Sequence, residues 1–208
     1  MANDTHWPDY YAVTVDRPAW GTVIGAAERF VAEGSAAEEA ATIGRWFAVD
    51  LGCGAGRDTR ELLRRGWRVL AIDREPAAIE TLEAATDPAD RDRLSTLVAD
   101  LATVELPPCD LVNASVSLPF LGHADYDAVL ARIVAAVRPG GRFAAMLYAD
   151  RDASAGEPDM TCPPVAAIRA ALPGFEFEEW SEREEDGQTA LGDPHHFHLV
   201  EFVARRTG

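Results

Sequence analysis

Residues 49–56 read VDLGCGAG, a stretch in which three glycines at alternate positions directly follow an apolar run. The run begins at residue 46 and carries no charge before Asp50, which is typical of a strand that is buried on both faces of a sheet. Residues 57–65 then have helical spacing, and Gly66 follows at a position where a left-handed residue often ends a helix. The pattern predicts a strand, a glycine turn and a helix.

The same alternation of strand and helix continues along the chain. Apolar strand-like runs occur at 67–72, 94–99, 110–115 and 142–149, and helical patterns occur at 76–85 and 125–137. Alternating strands and helices form a parallel sheet that helices cover on both faces. The predicted fold class is α/β, a Rossmann-like doubly wound sheet.

The C-terminal region departs from this rhythm. The strand-like runs 175–180 and 197–204 are joined by the polar stretch 181–193, which leaves no room for a helix. We therefore expect an antiparallel hairpin. The preceding segment, 150–164, is rich in Asp, Pro and Gly and is predicted to be a mobile loop.

We expect a single domain over residues 1–208. It divides into an N-terminal helical cap or lid (1–40, with a helix at 22–39), a ligand-binding core (46–149) and a C-terminal loop, helix and hairpin (150–208). The cap contains four large aromatic residues. They either close over a ligand or pack the terminal helix on the sheet: Trp7, Tyr10, Tyr11 and Trp20.

The composition limits the kinds of partner. A net charge of −16, from 35 acidic and 19 basic residues that are all arginine, disfavours nucleic acid as a partner. No apolar stretch has the length of a membrane span, and no leader pattern is present, so neither a membrane nor a secreted location is expected. Three widely spaced cysteines predict no disulfide framework and fit a reducing cytoplasm.

Two aspartates mark the ends of predicted strands. Asp73 lies 17 residues after Gly56, near the distance at which an acidic side chain binds a ribose diol in such folds. Asp100 ends the next strand, where a carboxylate can accept a hydrogen bond from an exocyclic adenine amine. Each could instead cap a helix or a turn. The spacing Gly52-x-Gly54-x-Gly56 differs from the G-x-G-x-x-G of dinucleotide pyrophosphate sites.

Together these motifs resemble the class I S-adenosylmethionine (SAM)-dependent methyltransferases. Residues 49–56 are similar to motif I of that superfamily, 71–73 (AID) to its acidic position after motif I, and 99–101 (ADL) to its adenine-contacting motif. RPGGRF at 138–143 resembles its proline-glycine-glycine turn. The two ends of the chain show a second, looser resemblance to small bacterial methyltransferases of the tellurite-resistance and thiopurine-like kind.

The resemblance implies SAM as cofactor, S-adenosylhomocysteine (SAH) as product, and a small-molecule acceptor. It implies that Asp50 lies near the ammonium group of SAM, that Asp73 binds the ribose, and that Asp100 with the backbone of Leu101 binds the adenine. It implies that the three glycines of the turn lie beside the methionine part of SAM: Gly52, Gly54 and Gly56. The remaining cofactor-binding positions that it implies are Cys53, Arg74, Asn113 and Ser115.

A catalytic side chain is not required, because the cofactor supplies the electrophile and the protein mainly aligns the reactants. A hydroxyl acceptor would benefit from a base, for which His123 and Tyr11 are the candidates. No metal is expected, because His195 faces away from His196 and His198 on a strand. The position of Cys53 requires only a small residue, so its thiol is not expected to act as a nucleophile.

Three functions remain open from the sequence. The first is a small-molecule methyltransferase, in which methyl transfer is an in-line displacement. The second is a non-catalytic SAM-binding or scaffold protein, for which the acidic surface suits a protein partner of unknown identity. The third is a nucleotide-dependent oxidoreductase, which the glycine spacing disfavours.

Overall fold

The protein folds into a seven-stranded sheet with helices on both faces. The structure is a computed structural model, and it describes residues 7–33 and 44–208. The strands are β1 Phe47–Leu51, β2 Arg68–Asp73, β3 Leu94–Val98, β4 Cys109–Ser115, β5 Val137–Tyr148, β6 Phe175–Gln188 and β7 Pro194–Arg206. The helices are α1 Trp7–Thr14, α2 Gly21–Glu33, α3 Arg57–Arg64, α4 Pro76–Ala85, α5 His123–Ala136 and α6 Val165–Ala170. Two short 3₁₀ helices, Pro88–Arg93 and Leu118–Phe120, complete the described elements.

The strand order is β3-β2-β1-β4-β5-β7-β6. β1 to β5 pair in parallel, whereas β7 runs antiparallel to both β5 and β6. The chain builds outward from β1 to β3 and then returns to place β4 on the other side of β1, so the direction of winding changes between β1 and β4. Ligands of open α/β sheets bind at such a switch point. The predicted fold class, with its C-terminal antiparallel hairpin, is confirmed.

Two apolar layers hold the helices to the sheet. α5 and α6 pack on one face, where Val49, Val112 and Phe143 are fully buried. α2 and α3 pack on the other face around Trp67, whose ring contacts Phe30 edge-on at 5.0 Å. Alternate residues of β1 supply the two layers, which explains the uninterrupted apolar run in the sequence. None of the helices described combines the length and hydrophobicity that a bilayer crossing requires.

Most element boundaries agree with the sequence to within a few residues. The strand predicted at 142–149 begins earlier, at Val137, so the proline-glycine-glycine sequence expected to form a turn lies within β5. Two other predictions also need comment. The helix expected at 22–39 is α2, and the part after Glu33 lies outside the described residues, as does the start of the predicted cap. The prediction of a polar connection over 181–193 was wrong, because β6 continues to Gln188 and leaves only 189–193 as the turn. β6 and β7 form a two-stranded antiparallel ribbon. Charged residues on this ribbon pair across the strands, as Arg183 does with Glu201, so the ribbon needs no alternation of apolar and polar residues.

The segment 150–164, predicted to be mobile, is anchored to β7 and to the loop after β4. The backbone N–H of Ala153 donates to the carbonyl of His196 on β7. The hydroxyl of Thr161 donates to the carbonyl of Leu121, 2.7 Å away. Asp152 is buried and accepts from two backbone N–H groups. These bonds hold the segment beside the carboxyl ends of β4 and β5.

Candidate functional site

A cavity of about 820 Å³ opens at the carboxyl ends of β1, β2 and β4. Its volume lies within the usual range for small-molecule sites. It runs from the glycine turn after β1, beneath α1, to the β6–β7 ribbon on the far side. The cavity therefore sits at the switch point of the sheet, with one end at the predicted cofactor motifs and the other at the C-terminal region.

The glycine turn forms one wall of the cavity. Gly52 and Gly54 line it, and both have left-handed φ values, +67° and +52°. A side chain at Gly52 would place its Cβ 2.4 Å from the Cβ of Ser117, so the turn after β4 requires a glycine there. Gly56 does not line the cavity. Its φ is +81°, and a Cβ would lie 2.2 Å from Leu82, so Gly56 allows α4 to pack closely against the turn.

Asp73 links the end of β2 to this turn. One carboxylate oxygen accepts from the backbone N–H of Gly54 at 2.8 Å, and the other accepts from that of Glu75 at 3.0 Å. Burial raises the pKa of Asp73, and these backbone hydrogen bonds oppose the rise. Glu75, and not Asp73, occupies the cap position before α4. Asp73 therefore fixes the turn through its carboxylate and also lines the cavity.

A buried network of hydrogen bonds lies behind the glycine turn. Asn113 on β4 donates from Nδ2 to Asp50 at 2.8 Å and to Asp58 on α3 at 2.9 Å. Burial, followed by the negative charge of Asp58, raises the pKa of Asp50 to about 7. Asp58 also accepts from the backbone N–H of Trp20, which ties the N-terminal segment to the site. Asn113 is fully buried and does not line the cavity, so it orients the carboxylates from behind.

The other predicted cofactor residues lie around the same cavity. Asp100 is exposed at its rim and accepts from the backbone N–H of Ala102 at 2.8 Å, so it also caps a turn. Burial keeps the Cys53 thiol protonated by raising its pKa, which argues against a nucleophile there. The remaining three line the cavity beside these residues: Arg74, Leu101 and Ser115.

Aromatic side chains of α1 cover the cavity. The ring of Tyr11 lies over Gly54, close enough that a Cβ on the glycine would be 3.5 Å from it. Trp7 stacks on Tyr11 and meets Phe120 edge-on, with ring centroids 5.1 Å apart. Burial and the charge of Asp73 raise the pKa of Tyr11, which therefore stays protonated and makes a poor base.

His123 is not brought to the cavity. It is the first residue of α5, it is exposed, and its Nδ1 lies 3.1 Å from the hydroxyl of Thr161. The start of the helix turns this side chain away from the carboxyl end of β4. We therefore withdraw His123 as a candidate base.

The three C-terminal histidines divide between two faces of the ribbon. His195 lines the cavity, whereas His196 pairs with Asp186 and Glu184 on the other face. His198 is fully buried and contacts Glu182 on that same outer face. Within the part of the chain that the structure describes, no group of His, Cys, Asp or Glu side chains is arranged to hold a metal ion.

Sequence reasoning missed several cavity residues. Val116 has φ +57°, an unusual conformation for a branched residue, and it ends β4 at the cavity. Within the described residues, the hydroxyl of the next residue, Ser117, is buried without a hydrogen-bond partner. Neither feature follows a sequence pattern. His195 and Phe197 on β7 were missed because their alignment with the cavity depends on the length of the hairpin.

The core of the chain is similar to known proteins that use or modify S-adenosylmethionine or carry methyltransferase domains. Residues 48–141 match the family model described as "Methyltransferase domain". The carboxy-S-adenosyl-L-methionine synthase of Vibrio parahaemolyticus is 33% identical over 97 residues, which cover 44% of this chain and 40% of that protein. The magnesium-protoporphyrin O-methyltransferase of Rhodobacter capsulatus is 36% identical over 85 residues, covering 41% and 38%. This chain thus spans about two fifths of these curated relatives.

Among solved structures, TehB from Haemophilus influenzae superposes with a TM-score of 0.73 at 18% identity, covering 97% of this chain and 67% of that one. This similarity concerns the fold, and it agrees with the looser of the two resemblances in the sequence. The matched region contains the glycine turn and the strand ends that line the cavity. Over residues 48–141, this chain therefore matches a methyltransferase domain, which agrees with the resemblance of its sequence motifs to the class I SAM-dependent superfamily.

Proposed function

We propose that this protein transfers a methyl group from SAM to a small-molecule acceptor by in-line displacement. One observation carries the proposal: a single cavity joins the cofactor motifs at one end to an aromatic pocket at the other. A ligand held by the glycine turn and an acceptor held by the ribbon would therefore meet without solvent between them.

The residues at the cofactor end suit SAM. A nucleoside needs carboxylates for its ribose and base, and Asp73 and Asp100 line the cavity at successive strand ends. Gly52 and Gly54 leave room for the methionine part against the backbone. Asp50 would lie near the ammonium group, whose positive charge favours the ionised form of this buried carboxyl. Bound SAM supplies a sulfonium methyl group that is already a strong electrophile.

Two assignments change with the structure. We propose that Gly56 and Asn113 serve the cofactor indirectly, Gly56 by letting α4 pack against the turn and Asn113 by orienting Asp50. We retain Cys53, Arg74, Leu101 and Ser115 as contacts, since all four line the cavity.

The protein's own part in the reaction is alignment and exclusion of water. α1 lies over the glycine turn and contacts Phe120 through Trp7, so it closes the cavity from the N-terminal side. The network through Asp58 holds the following segment in place by its bond to the backbone of Trp20. These contacts support the proposed division into a cap (1–40), a SAM-binding core (46–149) and a C-terminal part (150–208) of one domain.

Charge narrows the choice of acceptor. More carboxylates than guanidinium groups line the cavity, and the whole chain carries a net charge of −16. Both features disfavour nucleic acids and small polyanions. A neutral or cationic small molecule fits better. The described cysteines are free thiols, which supports a reducing compartment such as the cytoplasm.

Turnover is the test of this proposal. Purified protein is incubated with SAM and a panel of small aromatic acceptors, and SAH is measured by mass spectrometry. Acceptor-dependent SAH that disappears in Asp73→Ala supports the proposal. Binding of SAM without SAH formation for any acceptor would indicate the non-catalytic alternative. Quenching of NADH fluorescence during titration with the protein would instead support a nucleotide-dependent oxidoreductase, a function that the methyltransferase-domain match disfavours.

A further inference from the structure

A histidine and a buried carboxylate meet at the acceptor end of the cavity. Nε2 of His195, on β7, lies 2.9 Å from Oδ1 of Asp152, in the segment after β5. His195 lines the cavity, and its side chain is 16% exposed. The resemblance to methyltransferases assigns no role to either residue, and the two are 43 positions apart in the chain.

Asp152 is held rigidly. It is 3% exposed, its Oδ2 accepts from the backbone N–H of His198 at 3.0 Å, and its Oδ1 accepts from that of Ser154 at 3.0 Å. A carboxylate fixed in this way accepts from the Nε2–H of His195 and selects the neutral tautomer that carries its proton there. Nδ1 makes no hydrogen bond to any residue that the structure describes, so its lone pair is available.

Aromatic rings cluster around His195 and are tilted to one another by 38° to 57°. The ring of Phe197 lies 4.5 Å from that of His195, and the ring of Tyr148 on β5 lies 6.0 Å away. Gly187 is the cross-strand partner of His195 and leaves space that the ring of Phe197 occupies. The ionisable groups in contact with His195 are Asp152 from the loop and Tyr148 from β5. Glu185 and Arg183 on β6 line the same cavity and pair with each other. Burial raises the pKa of Tyr148, which stays a neutral phenol.

We propose that His195 is the general base of the methyl transfer, that Asp152 is its positioning residue, and that the acceptor is an uncharged aromatic compound bearing a hydroxyl group. This inference rests on the proposed methyltransferase function. The cluster of aromatic side chains favours an aromatic acceptor. A hydroxyl is the acceptor group that gains most from a base, because it must lose its proton to become a strong nucleophile.

The step balances as follows. The acceptor hydroxyl gives its proton to Nδ1 of His195, and the resulting imidazolium is stabilised by the carboxylate of Asp152. An oxygen lone pair forms the bond to the methyl carbon of SAM while the carbon–sulfur bond breaks and its electron pair passes to sulfur. The products are the methyl ether and neutral SAH, and the imidazolium returns its proton to water.

Other candidate bases at the cavity are less suited. Burial raises the pKa of Tyr11 and that of the Cys53 thiol, so neither group is basic near neutral pH. His196 occupies the opposite face of the ribbon and pairs with Asp186 and Glu184. It therefore provides a matched control: a histidine on the same strand that does not line the cavity.

The test compares two acceptors with the same ring. 2-Naphthol needs its proton removed, whereas 2-naphthalenethiol ionises readily without a base. We expect His195→Gln to lower kcat for the naphthol by about 10²- to 10⁴-fold with little change in KM, and to leave thiol methylation within a few-fold of wild type. The variant's naphthol rate should rise continuously with pH as the naphthol itself ionises. His196→Gln should behave as wild type with both acceptors.

Asp152→Asn provides the second variant, and thermal melting establishes that each variant is folded. We expect Asp152→Asn to lower kcat for the naphthol alone, a selectivity that a structural defect would not produce. The inference would be overturned if His195→Gln lowered kcat equally for both acceptors, or if it did not lower kcat for the naphthol. So would a wild-type protein that binds SAH but leaves 2-naphthol unmethylated. Failure to bind SAH would instead overturn the proposed function, and calorimetry distinguishes the two.

Discussion

The ionisation of Asp50 should make the stability of the ligand-free protein fall as pH rises from about 4 to about 7. Asp50 is 2% exposed, and its pKa is raised from 3.8 to about 7 by burial and by the negative charge of Asp58. In the unfolded chain this carboxyl ionises near pH 4. Between about pH 4 and 7 the folded state therefore binds more protons than the unfolded state, and the free energy of unfolding decreases with pH.

The structure sets the size of the effect. A pKa difference of this magnitude corresponds to at most about 4 kcal/mol, since each pH unit between the two values contributes about 1.4 kcal/mol. The contribution of Asp50 is complete at acidic pH and is lost as pH approaches 7. Asp50→Asn removes the ionisation and keeps the shape of the side chain, so it isolates this contribution from those of other groups.

Urea unfolding followed by tryptophan fluorescence at several pH values measures the effect. The free energy of unfolding of the wild type should fall by a few kcal/mol relative to that of Asp50→Asn between about pH 5 and 8, with unchanged m values. Parallel pH profiles for the two proteins would refute the reasoning. They would mean that Asp50 is ionised in the folded protein throughout this range.

Two further substitutions, each with a matched control, test how burial determines the free energy of unfolding. Gly56→Ala should destabilise the protein by about 2 kcal/mol or more, because its φ is +81° and its Cβ would overlap Leu82. Gly21→Ala, with open space around its Cβ, should change stability by less than about 1 kcal/mol, and equal melting temperatures for the two variants would contradict this. Arg142→Leu should cost about 3 kcal/mol in urea unfolding, because the fully buried guanidinium is the partner of Glu178. Arg138→Leu removes a half-exposed ion pair and should cost at most about 1 kcal/mol, so a similar loss in both variants would be inconsistent with burial as the cause.

The fold and the cofactor half of the cavity were predictable because their signals are local. A strand end is visible in the sequence, and parallel strands bring their carboxyl ends to one edge. Asp50, Asp73 and Asp100 therefore came together at the cavity as the sequence suggested. The glycine spacing could not show that Gly56 faces Leu82 instead of a ligand, because either role excludes a side chain.

The half of the cavity in which we propose that the acceptor binds depends on distant contacts that no short sequence pattern records. The charged ribbon after residue 180 resembles a loop in sequence, and its pairing with β7 brings His195 to the cavity. Asp152 lies in a stretch whose Asp, Pro and Gly content suggests mobility, yet its carboxylate is buried and accepts a hydrogen bond from the backbone N–H of His198, which is distant in sequence. The sequence placed His123 after β4, but the helix begins at this residue, and His123 does not line the cavity.

Calorimetric titration with SAH tests the central claim most directly. We predict one site per chain with an affinity in the micromolar range, weakened about tenfold or more in Asp73→Asn, because a charge-assisted hydrogen bond to the ribose would be lost. Asp92→Asn, an exposed carboxylate away from the cavity, should bind as the wild type does. Absence of heat with both SAH and SAM, from a protein that melts cooperatively, would contradict the assignment of this cavity to a SAM-dependent methyltransferase.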